Sequence, residues 1–212
     1  MLGRRFGWLW AAYAVSTAGT WLGFGAFPLI TILVLHATPF QVSLLSAAGL
    51  AVGAAVAVPL GPWIELRRKR PVMITMDLLR FAALATVPAA YALGVLTFTQ
   101  LVLVSVVVSA AGITFTAAGG AYLKSLLPPQ DLLLAYGRLE ATTWTATVVG
   151  PPLGNAAIGL LGPVVTIAVD ALSYLLSALG IRAIGGPSPA PHPADPPSAD
   201  TRQAGPRQAG PG

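Results

Sequence analysis

The 212-residue chain holds only seven Asp and Glu residues, so their placement limits the chemistry open to it. Asp77 and Arg80 stand three apart. Asp170 is alone in a long apolar run. Glu65 closes another apolar run just before four consecutive cations, Arg67, Arg68, Lys69 and Arg70, and Arg138 and Glu140 stand two apart. Three-residue spacing puts two side chains on one face of a helix, so Asp77 and Arg80 form an ion pair if that segment is helical. Cysteine is absent, so there is no thiol chemistry, thiolate metal site or disulfide. The two histidines, His36 and His192, are too far apart in the chain and too different in context to suggest a metal centre. With no nucleophile–base pair, phosphate loop or metal cluster, the residues point away from an enzyme, and no cofactor is expected.

What remains for buried charges is ion pairing, gating and proton handling, and the elements around them must be read in that light. Charged residues make up 9% of the chain and hydrophobic ones 55%, with a mean hydropathy of +0.75. A soluble domain carries about 25% charged residues. Residues 6–64 hold no Asp, Glu, Lys or Arg, and neither do residues 81–123. Lipid is therefore the expected solvent for residues 1–184. The net charge of +5 could suggest nucleic acid, but the cations cluster at segment ends rather than in a stripe. No nucleic-acid partner is expected, and attraction to anionic membrane lipid accounts for them. The apolar run after Arg4 and Arg5 continues to Leu35, beyond the ~7–15 residues of a signal peptide core, so it reads as a first membrane helix.

About 20 apolar residues cross a bilayer. Six segments qualify: about 8–35, 42–63, 72–95, 101–123, 135–161 and 163–184. The breaks carry turn residues, and Gly162-Pro163 is so short that the last two helices must be antiparallel neighbours. Arg4, Arg5, the 67–70 cluster, Lys124, Arg138 and Arg182 fall on one side, and the loops at 36–41, 96–100 and 162 carry no cation. The positive-inside rule then puts both termini in the cytoplasm of a multi-pass cell-membrane protein. From Gly185 the chain turns Pro-rich and ends in a short repeat, Arg202-Gln-Ala-Gly-Pro and Arg207-Gln-Ala-Gly-Pro. Such a segment buries too little to offset its ordering entropy, so 185–212 reads as a disordered cytoplasmic tail.

Several positions stand out within the spans. Near the C-terminal end of a helix the dipole disfavours the Glu65 carboxylate, which is better placed against a cation or another helix's N-terminus. The Asp77–Arg80 pair reads as structural, with Arg80 partly snorkelling. Glu140 is read as structural too, near the start of the fifth span. Asp170 is the candidate for proton coupling, with a hydrogen bond to neighbouring Ser, Thr or Tyr as the structural alternative. Gly150, Pro151, Pro152 and Gly154 remove bulk and backbone donors, which suits either a functional bend or plain close packing. Gly19, Thr20, Gly23 and Phe27 form a stripe on the first span that faces a cavity or packs on a neighbour.

Gly61-Pro-Trp-Ile-Glu65-Leu-Arg-Arg-Lys69-Arg70 resembles the cytoplasmic signature between the second and third helices of the major facilitator superfamily, with Gly61, Glu65, Lys69 and Arg70 at its marked positions and Leu66 replacing an Arg. Ala146-x-x-x-Gly150-Pro151-Pro152-Leu153-Gly154 is similar to that family's fifth-helix signature associated with export by antiport. Val72–Arg80 and Val169–Ala178 look like the third and sixth helices of its macrolide- and siderophore-exporter branch. The resemblance covers nearly all of 1–184. It implies an all-α integral membrane fold and an efflux function for small, amphipathic molecules driven by a proton gradient. It also implies a latch role for Glu65 at the cytoplasmic gate. Members have two six-helix repeats with substrate between them. Six spans equal one repeat, so the resemblance implies a homodimer or a second transporter half as partner. The alternative is a truncated, non-transporting membrane fragment or interaction subunit.

Overall fold

The computed structural model describes residues 2–65 and 67–185, with side chains undescribed at residue 50, at 53–54 and at 56–66. The side chains of Gly61 and Glu65, all of Leu66 and the expected tail from 186 onward therefore lie outside the described residues. Among the described residues every element is a helix: α1 Gly3–Gly23, α2 Ala26–Leu33, α3 Pro39–Glu65, α4 Lys69–Ala92, α5 Phe98–Leu126, α6 Pro129–Leu161 and α7 Pro163–Ala183. The first expected span is thus two helices, broken at Phe24-Gly25. The continuous run Gly3–Leu33, α4, α5 and α7 are each long and apolar enough to cross a membrane. α3 and α6 accompany them as helices of 27 and 33 residues, also beyond the ~20 that a span needs.

The helix ends follow from local chemistry. Thr38 and Gln41 form a reciprocal box at the start of α3: the Gln41 amide donates to Thr38 Oγ1 (3.4 Å) and the Thr38 amide to Gln41 Oε1 (2.8 Å). Thr97 caps α5 by accepting from the Gln100 amide at 3.2 Å. Pro129 opens α6, where its missing N–H costs nothing, and Asp131 sits in the first turn. This start is six residues earlier than the sequence suggested, which moves Glu140 from the helix mouth to its fourth turn. At that depth the positive end of the helix dipole no longer favours its carboxylate. Gly162, at φ +84°, is both the C-cap of α6 and the N-cap of α7, and only glycine takes that conformation without strain.

α4 packs on α5 and α7, α1 on α6 and α7, and α3 on α5. Two apolar clusters form the core. One gathers Phe6 and Leu9 of α1, Met73 of α4, Phe115 and Leu123 of α5 and Ile181 of α7. The other gathers Ile30 of α2, Leu45 of α3, Leu84 and Val87 of α4, Leu101 of α5 and Ile167 of α7. Between them along the helices lies a layer of buried polar residues: Ser16, Asp77, Arg80, Thr114, Asp170, Ser173 and Ser177. The outer faces present bare Leu93, Leu103, Leu160 and Phe40. Water does not tolerate such a surface at this density, and lipid does. Threonines on α6 return their hydroxyls to the carbonyl four residues back, as Thr142, Thr143, Thr145 and Thr147 all do. That leaves no donor facing hydrocarbon unsatisfied at those positions.

Candidate functional site

The polar layer is built around Arg80. Its guanidinium pairs with the Asp77 carboxylate one turn earlier on α4, and both side chains are almost wholly buried. The Arg80 Cζ lies 4.2 Å from the centre of the Tyr174 ring on α7 and 4.7 Å from that of Phe115 on α5. Two aromatic faces thus hold the cation within the bundle. Gly112 of α5 leaves room for it: a Cβ there would lie 3.9 Å from Nη1. The arginine does not snorkel to the interface, as the sequence had suggested; the ion pair and the two rings keep it at the bundle centre.

Asp170 of α7 completes the layer and is buried at 5% exposure. Ser173 Oγ donates to the Asp170 backbone carbonyl at 2.7 Å and reaches Oδ1 only at 3.5 Å, and Tyr174 and Arg80 also stand near the carboxylate. The carboxylate packs against the bare backbone of α1. A Cβ at Gly19 would come within 2.9 Å of Oδ1, and one at Gly23 within 2.8 Å of Oδ2. The stripe Gly19, Thr20 and Gly23 is therefore a packing face against α7, with a polar contact inside it. Thr20 Oγ1 donates to the Ser16 carbonyl at 2.8 Å, so its oxygen accepts from the Tyr174 hydroxyl at 2.7 Å. By hydrogen-bond geometry Asp77 Oδ2, Arg80 Nε and Ser177 Oγ have no partner among the described residues, although Ser177 of α7 stands close enough to interact with the Asp77 carboxylate.

A cavity of about 750 Å³ opens beside this layer, lined by Thr20, Arg80 and Tyr174 and by Ser109, Gly112 and Thr116 of α5. The pair and Asp170, far apart in sequence, are thus brought together by α4 and α7. No local pattern marks Phe115 and Tyr174 as the rings that sandwich Arg80. No group of three or more His, Asp or Glu suited to a metal occurs among the described residues.

The signature positions lie elsewhere. Gly150 and Gly154 are buried where α6 crosses α1: a Cβ at 150 would strike Trp21, and one at 154 would come within 3.1 Å of the Leu22 backbone carbon. α6 is helical through Pro151 and Pro152. A break in the first span lies across the contact, near Trp21 and Leu22, at Phe24-Gly25. At the other end Arg70 reaches from α4 to the C-terminus of α7. Its Nε donates to the Ile181 carbonyl at 3.1 Å and its Nη2 to the Arg182 carbonyl at 2.6 Å. The Ile181 carbonyl also accepts from the Ile184 amide at 3.3 Å, so Arg70 adds to the cap at this helix end, where a cation meets the negative end of the dipole. Arg67 and Arg68 stand exposed beside it, and Lys69 begins α4.

No curated protein and no solved structure matches the chain. The family model described as Major Facilitator Superfamily matches residues 9–209, which spans every described helix except the first turns of α1. The all-α bundle of apolar helices with a charged layer at its centre thus belongs to a multi-pass membrane protein, and the chain is a member of the Major Facilitator Superfamily of transporters.

Proposed function

We propose that this protein exports small amphipathic molecules by alternating access, acting as one six-helix repeat together with a second such unit. That unit is a second copy of this chain or a separate repeat. The observation that carries the reading is the buried Asp77, Arg80 and Asp170 layer beside the 750 Å³ cavity. Buried charge at the centre of a membrane bundle is costly and is kept where a substrate or ion passes. Two carboxylates share the layer with one guanidinium, so charge balance asks for one more positive charge than the side chains supply. A proton carried in antiport would provide it, with Asp170, the acid not paired to Arg80, as its carrier. Asp77 keeps Arg80 in place. Gly61, Glu65, Lys69 and Arg70 form the cytoplasmic gate, with Glu65 as the latch onto the second unit. Both termini face the cytoplasm, as the cation distribution favours.

The test is a dye-efflux and drug-susceptibility assay in cells expressing wild type, Glu65→Ala, Gly150→Trp or an empty vector. Export by wild type, with loss in both variants at equal membrane abundance, supports the reading. Equal efflux from wild type and empty vector overturns it.

A further inference from the structure

A second cavity, of about 490 Å³, opens between α5 and α6 on the side of the charged layer where the N-terminus and the 67–70 cations lie. Four residues of α6 at spacing i, i+3, i+4 and i+7 form one of its walls: Leu133, Tyr136, Gly137 and Glu140. Gly119 and Gly120 of α5 face them without side chains, and a Cβ at Gly137 would meet nothing within 4 Å. The remaining walls include the rings of Tyr13 and Phe115 and the thioether of Met73. The Tyr136 hydroxyl bridges the cleft to the Gly120 carbonyl at 3.4 Å, and the Tyr13 hydroxyl bonds Thr143 Oγ1 at 2.8 Å. Both phenols are therefore fixed by their hydroxyls.

Glu140 is the sole charged residue on this lining. Its carboxylate has no hydrogen bond or ion pair among the described residues. Arg138, two positions earlier, lies on another face of α6 and lines a different cavity with Trp10 and Thr142. Arg80 stands behind Phe115 but is neutralised by Asp77. The cleft thus combines three aromatic rings, a polarisable sulfur, glycine-cleared space of ligand size and one unpaired carboxylate. That set recognises a positive charge carried on an apolar body: the rings attract it through their faces, the carboxylate sets its sign, and the apolar walls take the rest. We infer that the α5–α6 cleft binds a lipophilic organic monocation, with Glu140 as its counter-ion. Only in calling that cation a substrate does this inference rest on the export reading. Binding itself is independent of transport.

The experiment uses purified full-length protein in detergent micelles and two probes of matched shape and opposite charge, tetraphenylphosphonium and tetraphenylborate. Wild type is expected to bind the phosphonium, and Glu140→Gln to weaken it about tenfold while leaving the borate unchanged or tighter. Glu140→Asp keeps most of the affinity, and Gly137→Trp, which fills the cleft, removes it. Because Glu140 has no partner to lose, Glu140→Gln should melt like wild type, so a loss of binding reads on the site and not on folding. Equal phosphonium affinity in wild type and Glu140→Gln, or borate bound as tightly as phosphonium by wild type, overturns the inference. Glu140-dependent binding in a protein that exports nothing leaves the site standing and removes the export reading. Export without such binding does the reverse.

Discussion

Arg80 is the residue on which the buried layer turns. Removing one member of a buried ion pair strands the other charge, at a cost of about 3–5 kcal/mol. Arg80→Leu should therefore lower the midpoint of thermal unfolding in detergent more than the double variant Asp77→Ala/Arg80→Leu does, because the double variant strands nothing. A double variant that melts below Arg80→Leu would mean that the pair is not the dominant contact of either side chain. Asp170 behaves differently, since it packs against glycine backbone and is not the acid paired to Arg80. Gly23→Ala puts a methyl group into the carboxylate and should impair both stability and any proton-linked export. Asp170→Asn keeps the volume and should spare stability while removing the coupling, read as export that no longer responds to an imposed proton gradient. The sequence showed Asp77 with Arg80 as a pair and Asp170 as an outlier, because helical spacing and an apolar context are local signals. That all three share one layer depends on how α4 and α7 pack, and no local pattern carries that.

At the scale of elements, the helices were legible because apolar length and turn residues mark them directly. Their mutual arrangement was not. Pro151 and Pro152 suggested a bend or close packing within one span, and α6 stays helical through them; the break at Phe24-Gly25, where no proline stands, was not marked in the sequence. Gly150 and Gly154 explain part of this, for they bring the α6 backbone against Trp21 and Leu22 just before that break. Gly154→Leu should force α1 and α6 apart and lower the unfolding midpoint. The same change at Gly159, where a Cβ meets nothing within 4 Å, should cost no more than a few tenths of a kcal/mol. The tie at the other end of the bundle was also invisible in the sequence, which marked Arg70 only as part of a basic cluster. Its two bonds to the carbonyls of Ile181 and Arg182 predict that Arg70→Ala frays the last turn of α7. Faster amide hydrogen exchange confined to residues near 180–184 is the expected result, and unchanged exchange there would remove the cap from the account.

For the molecule as a whole, the absence of cysteine gives a clean background for mapping which end faces which compartment. In intact cells a membrane-impermeant thiol reagent should label Val95→Cys but not Arg68→Cys, and permeabilised cells should label both. The reverse pattern would invert the bundle and put the Arg70 tie on the outer face. How the bundle moves is constrained by its shortest joint. Gly162 alone separates α6 from α7, so Leu161 and Pro163 are two Cα steps, at most ~7.6 Å, apart, and the gap between neighbouring helices, with axes ~8–10 Å apart, already uses that reach. Sliding one helix past the other by a full turn would need ~5.4 Å. The tether is too short for that stroke, so those two rods cannot work as a piston. Any opening and closing that involves them has to be a tilt about that single glycine, a hinged lever whose far arms swing widest at the Arg70 end.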